Sequence, residues 1–242
     1  MVTSSNRVAN RERGGRVLVV AALGRELAPL RREADPRLAL LETGEGIANA
    51  ERSLRSWLNA ETPRAVVGIG FAGALSPSLG ACDLIVAREC RMRGSETVPA
   101  TQTLLEAARR SQGAGTAALF GVTVTVDEVV CRAEEKRRLA RTLAAEEIAC
   151  VDMESWAIAR VCSEREIPFM IARSVTDLFA EDLPVDFNRC RRPDGRTSTW
   201  KVLFLALGRP SSLKSLWELR RRSILCSEKL AAFVRGFLAE ID

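Results

Sequence analysis

One stretch, residues 151–177, constrains the fold of this chain more than any other, because it predicts a helix followed directly by a strand. Pro168 marks the break between them, since proline lacks a backbone donor and restricts the residue before it. Before the break, an apolar stripe at helical spacing predicts the helix: Ala157, Ile158, Val161 and Cys162. After it, residues 169–172 are apolar and predict a buried strand.

Acidic side chains stand at both ends of this αβ unit. Asp152 and Glu154 precede the helix, and Asp177 follows the strand. An aspartate at such a position can simply cap a helix by accepting hydrogen bonds from its first N–H groups. A ligand site is the alternative, because open α/β sheets bind ligands outside the carboxyl ends of their strands. Both interpretations stay open, and the strand-end position of Asp177 favours the second for that residue.

Strand and helix patterns alternate from residue 17 to residue 177, which predicts one α/β domain with a largely parallel or mixed sheet. Short apolar runs predict strands at 17–22, 38–41, 65–70, 84–87, 117–126 and 169–172. Helices are predicted at 47–58, 101–110 and 134–145, the last one charged and on the surface. The chain thus divides into a disordered basic lead-in, residues 1–16, and a domain, residues 17–242, in which 197–242 form a helical C-terminal extension.

The absence of histidine removes whole classes of chemistry. Ser-His-Asp and Cys-His catalysis both need an imidazole, and the seven cysteines lack the paired spacing of a zinc site. We therefore expect no metal site, with acid–base work falling to carboxylates or, as the alternative, to lysine or cysteine. The thiols are expected to be reduced and mostly buried.

The net charge of +5 is concentrated near the C-terminus, where residues 189–222 hold ten basic and two acidic side chains. A solvated arginine-rich face is one explanation, and contact with an anionic partner is another. No apolar run approaches the ~20 residues that span a bilayer. Residues 1–16 lack the apolar core of a secretory signal. These features predict a cytoplasmic protein.

Two glycine-rich segments follow predicted strands, at residues 44–46 and 68–73. Glycines at a strand-to-helix junction let backbone N–H groups approach the oxygen atoms of a ligand. Neither segment is a Walker loop, because no G-K-[ST] follows, and the second is a weak match to G-x-G-x-x-G. Tight turns without a ligand are the alternative for each.

Three ordered motifs within residues 17–187 resemble the nucleoside phosphorylase/nucleosidase superfamily, and within it the 5′-methylthioadenosine/S-adenosylhomocysteine nucleosidases and related hydrolases. The motifs are V-D-M-E-S-W-A-I-A-R-V-C with I-P-F and R-S-V-T-D, G-I-G-F-A-G-A-L-S-P-S-L-G-A-C-D-L-I-V, and T-G-E-G-I-A-N-A. The resemblance implies a three-layer α/β/α domain with a central mixed sheet, in a homo-oligomer with a dimer favoured. It also implies a small-molecule nucleoside substrate and cleavage of a purine N-glycosidic bond without a cofactor.

The resemblance assigns roles to three carboxylates, which are expected to converge on one pocket. Asp177 matches the aspartate that protonates N7 of the departing purine, as suits a bond that breaks through an oxocarbenium-like state. Glu26 matches the glutamate that positions the attacking water. Glu154, with Met153 beside it, matches the ribose site, where its charge favours a cationic sugar. The other substrate-binding positions that the resemblance implies are Gly46, Phe71, Ala72, Gly73, Val129, Val130, Thr176 and Phe187.

Two positions separate the hydrolases of this superfamily from its phosphorylases. Gly68 stands where the phosphorylase branch carries an arginine, and Phe71 stands where a hydroxyl residue is expected. Both changes remove anion ligands and favour water as the nucleophile. Phosphorolysis is the alternative, with Arg25 and Arg173 as candidate phosphate ligands, and a non-catalytic nucleoside-binding protein is a second alternative.

The basic tail after residue 189 is similar to the tails of hopanoid-associated members of the superfamily, which act on a nucleoside joined to a large apolar lipid. Val129 also departs from the aromatic residue that methylthioadenosine-type enzymes often carry there. An amphipathic helix with Trp217 and residues 220–222 could lie on a membrane surface, whereas packing on the domain or on a partner subunit is the alternative. The segment lacks the interleaved aromatic residues of a nucleic-acid surface, so no nucleic acid is expected.

Overall fold

The computed structural model describes residues 15–92, 95–114, 117–190 and 210–241. At its centre lies a mixed sheet of eight strands in the described residues: β1 Val17–Ala21, β2 Leu38–Glu42, β3 Ala65–Ala74, β4 Leu84–Met92, β5 Val98–Pro99, β6 Ala118–Thr125, β7 Ala149–Asp152 and β8 Phe169–Asp177. Strands β2, β1, β3 and β8 are parallel neighbours, as are β4, β6 and β7. Antiparallel pairs of β8 with β4 and of β7 with β3 join the two groups into a closed ring.

Helices cover both faces of this sheet. Their bounds are α1 Gly24–Glu33, α2 Ile47–Ala60, α3 Gln102–Arg110, α4 Ala133–Ala140, α5 Ser155–Glu164 and α6 Pro210–Ile241. Helices α1 and α3 contact α6 in one layer, and α2 contacts α5 in the other. This confirms the predicted three-layer α/β domain with a mixed sheet. Helix α4 is shorter than the prediction of 134–145 and lies beside the end of β8, where its Lys136 reaches the chain that follows that strand.

Strand β8 is buried along its whole length, although it carries four polar residues. They are Arg173, Ser174, Thr176 and Asp177. Burial on both faces is the usual state of a parallel strand between helical layers, and it normally selects apolar side chains. Buried charge costs free energy unless it is paired. The polar half of β8 is therefore the part of the core that needs an explanation beyond packing.

The glycine-rich segment 68–73 lies inside β3, so its expected place at a strand-to-helix junction is wrong. The glycines serve close packing against β8 instead. A Cβ added at Gly70 would come within 1.9 Å of Nη1 of Arg173, and one at Gly73 within 2.8 Å of Oδ2 of Asp177. The absence of a side chain at Gly70 and at Gly73 makes room for the charged groups of β8.

Helix α6 divides into two parts with different surroundings. Its C-terminal half packs on the domain through Leu230, Phe233 and Phe237, which are all buried. Its N-terminal half exposes Trp217 and Leu225. In the part of the chain that the structure describes, no helix is long and apolar enough to cross a membrane. All seven cysteines are buried thiols, as the sequence predicts.

The predicted limits of the domain remain predictions. Residues 1–14 of the basic lead-in lie outside the described residues, as do residues 197–209 of the predicted C-terminal extension.

Candidate active site

Arg173 is the centre of a buried charged cluster. Its side chain is 1% exposed and lies in the middle of β8. Nε lies 2.8 Å from Oδ2 of Asp152 and donates to the hydroxyl of Ser155 at 2.9 Å. Nη1 donates to the carbonyl of Ile69 at 3.2 Å. One guanidinium thereby ties β8 to the start of α5 and to β3.

Asp152 both caps α5 and neutralises Arg173. It accepts hydrogen bonds from the N–H groups of Glu154 and Ser155 at 3.2 and 3.1 Å, which satisfies donors that a helix start leaves unpaired. The hydroxyl of Thr125 donates to the same oxygen, Oδ1, at 2.8 Å. The capping interpretation is therefore correct for Asp152, but it is only half of the residue's contacts.

Glu26 sits in the first turn of α1, where the chain turns after β1. Its side chain is buried and accepts the N–H of Leu23 at 2.8 Å and the N–H of Phe71 at 2.9 Å. Burial raises the pKa of this carboxyl, while Arg173 and the two N–H groups oppose the rise. A carboxylate with a raised pKa binds a proton more readily, as a general base requires.

Glu154 lies across the same guanidinium from Glu26. Its Oε1 accepts the N–H of Gly46 at 2.7 Å, and its Oε2 lies 3.9 Å from Nη2 of Arg173. Burial raises the pKa of Glu154 to about 7, against the effect of Arg173. Gly46 has a φ of +91°, a backbone conformation that favours glycine, and this turns its N–H towards the carboxylate.

The Nη2 atom of Arg173 is buried and has no hydrogen-bond partner among the described residues. An unsatisfied N–H of a guanidinium is costly in a protein interior. It lies beside Glu154, and the two carboxylates of Glu154 and Glu26 both act on the charge of Arg173. Nη2 is thus a guanidinium nitrogen that makes an ion pair with Glu154 at 3.9 Å but no hydrogen bond to the described residues.

The structure brings Glu26 and Glu154 together but gives Asp177 a different set of partners. Nζ of Lys136 lies 2.5 Å from Oδ2 of Asp177, and Thr176 donates to Oδ1 at 2.9 Å. In the β3–β8 ladder Gly70 pairs with Arg173, and Gly73 pairs with Asp177. Those pairs are three positions apart along β3, which corresponds to about 10 Å along the strand. That one pocket holds all three carboxylates stays a prediction.

Within the described parts of the chain, Asp177 accepts from Lys136 and Thr176 and caps no helix. Thr176 is an extra residue in the ladder, since Ala72 pairs with Val175 and Gly73 with Asp177. Such a bulge shifts the register and re-aims the next side chain. Burial raises the pKa of Asp177, and the neighbouring Lys136 opposes that rise.

The loop after β6 and the 3₁₀ turn Phe187–Cys190 lie side by side. Asn188 makes two hydrogen bonds to the backbone of Val129, at 2.8 and 2.9 Å, like a neighbouring strand. Val129, Val130 and Phe187 are all half-buried. The structure thus brings together the residues expected at the edge of the base. Whether they contact a base stays a prediction, as it does for half-buried Met153 and for Phe71, whose ring lies 5.5 Å from the guanidinium carbon of Arg25.

The sequence prediction gives no catalytic or binding role to two charged residues of the site, Asp152 and Lys136. Asp152 was expected as a possible cap, and Lys136 lies in a helix expected on the surface. A signal for Lys136 exists, because it stands three residues after Ala133 and three before Leu139, on the same helix face. In the described ranges, no three side chains of the Asp, Glu or Cys type form a metal-binding group.

Known proteins are similar to this chain in sequence and in fold. The model of the family described as the phosphorylase superfamily matches residues 32–192. A 5′-methylthioadenosine/S-adenosylhomocysteine nucleosidase of Shewanella loihica is 27% identical over 186 residues, which cover 69% of this chain and 80% of the relative. The nucleosidase of Haemophilus ducreyi is 25% identical over 158 residues, 58% of this chain and 67% of the relative.

Solved structures show the same fold. The nucleosidase of Neisseria meningitidis in complex with methylthio-immucillin-A has a TM-score of 0.70 and 20% identity, over 93% of this chain and 98% of that one. The nucleosidase of Streptococcus pneumoniae with a transition-state inhibitor has a TM-score of 0.71 and 15% identity, over 94% and 100% of the two chains.

Proposed function

The chain belongs to the phosphorylase superfamily, and we propose that it cleaves the N-glycosidic bond of an adenine nucleoside with water as the nucleophile. The observation that carries this proposal is the buried group of Glu26, Arg173 and Glu154, in which Nη2 of the guanidinium has no hydrogen-bond partner among the described residues. The curated relatives with similar sequences are nucleosidases, which supports hydrolysis.

The sugar lies at the Glu154 end of the proposed site. Glu154 accepts hydrogen bonds from the ribose hydroxyls, with Met153 beside them and the N–H of Gly46 holding the carboxylate in place. As the bond to the base lengthens, the sugar becomes cationic. The surrounding carboxylates favour that charge, because they are already positioned in a buried environment and need little reorganisation.

Glu26 acts on the water. Its two oxygens are fixed by the N–H groups of Leu23 and Phe71, so the carboxylate cannot rotate away. It takes a proton from the water that attacks C1′ of the sugar. Asp177 works at the other end, where its proton goes to N7 of the purine and the electron pair of the broken bond stays with the departing base.

Water is favoured over phosphate by the charge of the site. A phosphate beside Arg173 would also face Glu26 and Glu154, while the guanidinium is already paired with Asp152 at 2.8 Å. Arg25, the other candidate ligand, lies over the ring of Phe71. The phosphorolytic alternative therefore has less support, and it serves as an outcome of the experiment.

We also propose that the substrate carries a bulky apolar group on its 5′ carbon, such as a hopanoid, and that α6 contacts a membrane surface peripherally. The exposed half of α6 places Trp217, Ile224 and Leu225 beside Arg220 and Arg221. An apolar face bordered by arginines suits the interface of an anionic bilayer. Assembly as a homodimer is part of the same proposal.

The test is release of free adenine from a panel of adenine nucleosides, with and without added phosphate. We expect phosphate-independent release, a loss of at least about 100-fold in Asp177→Asn, and a similar loss in Glu26→Gln. Dependence on phosphate supports the phosphorolytic alternative. No release from any member by well-folded protein supports the non-catalytic alternative.

A further inference from the structure

A buried lysine contacts the carboxylate that the proposed function uses as the acid. We propose that Lys136 is a positioning residue for Asp177: its ammonium holds the carboxyl in place and supplies the proton that Asp177 passes to the departing purine. This inference rests on the proposed function, because it concerns the same leaving-group step.

The contacts of Lys136 account for a complete ammonium group. Its side chain is 0% exposed. Nζ lies 2.5 Å from Oδ2 of Asp177 and donates to the carbonyls of Leu178 at 2.7 Å and Glu181 at 3.1 Å. Three N–H donors thus meet three oxygen atoms. A neutral amine in the same place would turn its lone pair towards one of those oxygens.

A structural role alone explains this arrangement poorly. Taking two opposite charges out of water often costs more free energy than their attraction returns, so a buried ion pair is weak evidence for stability. The pair also stands at the end of β8 in the segment that matches the family's catalytic motif. A short contact between an amine and a buried carboxyl is suited to the transfer of a proton between them.

The other charged groups near Lys136 have cationic partners of their own. Glu181 pairs with Arg222 of α6 at 2.7 Å. Asp182 pairs with Arg132, the residue before α4, at 3.2 Å. Asp177 is therefore the acidic side chain that Lys136 contacts, and the proton shared by these two groups is the one that matters for the reaction.

The proton balance of the step is complete. The proton starts on the ammonium of Lys136 and moves to the carboxylate of Asp177. When the bond between C1′ and N9 breaks, its electron pair goes to the purine and N7 takes that proton, which leaves Lys136 as a neutral amine and Asp177 as a carboxylate. Water adds to C1′ and gives its proton to Glu26. After the products leave, solvent takes the proton from Glu26 and returns one to Lys136.

The decisive comparison uses Lys136→Met and two substrates. The first is an adenine nucleoside, and the second is 4-nitrophenyl β-D-riboside, whose leaving group departs as a stable anion and needs no proton. We expect kcat on the adenine nucleoside to fall by about 100-fold or more, with a change in KM below about threefold. We expect the rate on the nitrophenyl riboside to stay within about threefold of the wild type.

The pH profile gives a second readout. A lysine ammonium ordinarily keeps its proton to a higher pH than a carboxyl does, and Lys136→Met leaves only the carboxyl of Asp177. The alkaline limb of kcat/KM on the adenine nucleoside should therefore move to lower pH in the variant. Thr176→Val is the matched control, because it removes the hydrogen bond to the other oxygen of Asp177 and leaves the proton source. It should not move the limb downwards.

Lys136→Arg separates proton supply from charge. Arginine keeps the positive charge but does not give up its proton, so we expect it to remain as slow as Lys136→Met. Recovery of activity in Lys136→Arg, or an equal loss of Lys136→Met on both substrates, would overturn the proposal. If Lys136→Arg does not fold, the two-substrate comparison and the pH profile decide. If the wild type cleaves neither substrate, the proposed function itself fails.

Discussion

Replacement of Glu154 by glutamine tests the electrostatic account of the buried cluster without reference to a substrate. Glutamine has the same shape, and its carbonyl oxygen can still accept the N–H of Gly46, which lies 2.7 Å from Oε1 in the wild type. The change removes one titratable group from the neighbourhood of Arg173. The free energy of unfolding should therefore lose one component of its pH dependence and keep the rest.

The size of that component follows from the pKa of Glu154. Burial raises this pKa from 4.5 to about 7 in the folded protein. Between those values the folded state holds a proton that the unfolded state has released, so stability falls as the pH rises. The stabilisation is fully present below pH 4.5 and is lost as the pH passes 7. One pKa unit corresponds to about 1.4 kcal/mol, so the total is about 3 kcal/mol.

The assay is urea unfolding between pH 5 and pH 8, followed by tryptophan fluorescence. Relative to the wild type, Glu154→Gln should gain stability across this range, by about 2 to 3 kcal/mol at pH 8 compared with pH 5. Glu164→Gln is the matched control. Glu164 is the last residue of α5, the helix that Glu154 precedes, and the neighbouring Arg55 lowers its pKa. Its curve should run parallel to that of the wild type. Parallel curves for Glu154→Gln as well would show that Glu154 ionises normally, and the account of the cluster would then be wrong.

Two further substitutions test the packing of the site and the surface of α6. Gly70→Ala places a Cβ 1.9 Å from Nη1 of Arg173. It should destabilise the fold by about 1 to 3 kcal/mol and abolish adenine release. Gly80→Ala is the control, because the atom nearest to its new Cβ lies at 3.5 Å, and it should leave the thermal melting temperature unchanged. Trp217→Ser should weaken sedimentation of the protein with anionic vesicles. Leu119→Ser, at an exposed apolar position outside α6, should bind the vesicles like the wild type. Equal binding of all three proteins would contradict a membrane contact through α6.

The sequence predicts the fold class and points to most of the charged residues of the candidate site, because both depend on local patterns. Apolar spacing predicts the αβ unit that ends at Asp177, and the family resemblance points to Glu26 and Glu154. It does not predict that Gly70 lies opposite Arg173, because that depends on the register between two strands about a hundred residues apart. The same register explains why glycines expected in a turn lie inside a strand.

Lys136 shows where residue type is a poor guide. In the run A-E-E-K-R-R-L-A it looks like one more solvated charge, and lysine is almost never fully buried unless it is paired. Its burial depends on Asp177, 41 positions further along the chain, reaching the same place. Helical spacing relative to Ala133 and Leu139 indicates the buried face, but only the tertiary contact shows that a lysine can occupy it.

The two charged groups on β8 differ in the kind of charge that they stabilise. Around Arg173, in the middle of β8, three carboxylates surround one guanidinium. This part of the site therefore has an excess of negative charge when the carboxylates are ionised. At Asp177, one ammonium meets one carboxylate, and the pair is neutral while it holds a mobile proton. The first environment suits a sugar that becomes cationic, and the second suits a base that must be protonated before it leaves. Because one buried strand fixes both groups, their spacing is set by the backbone before any substrate binds. We therefore expect changes in the register of β8 to impair the reaction more than changes in the loops around it.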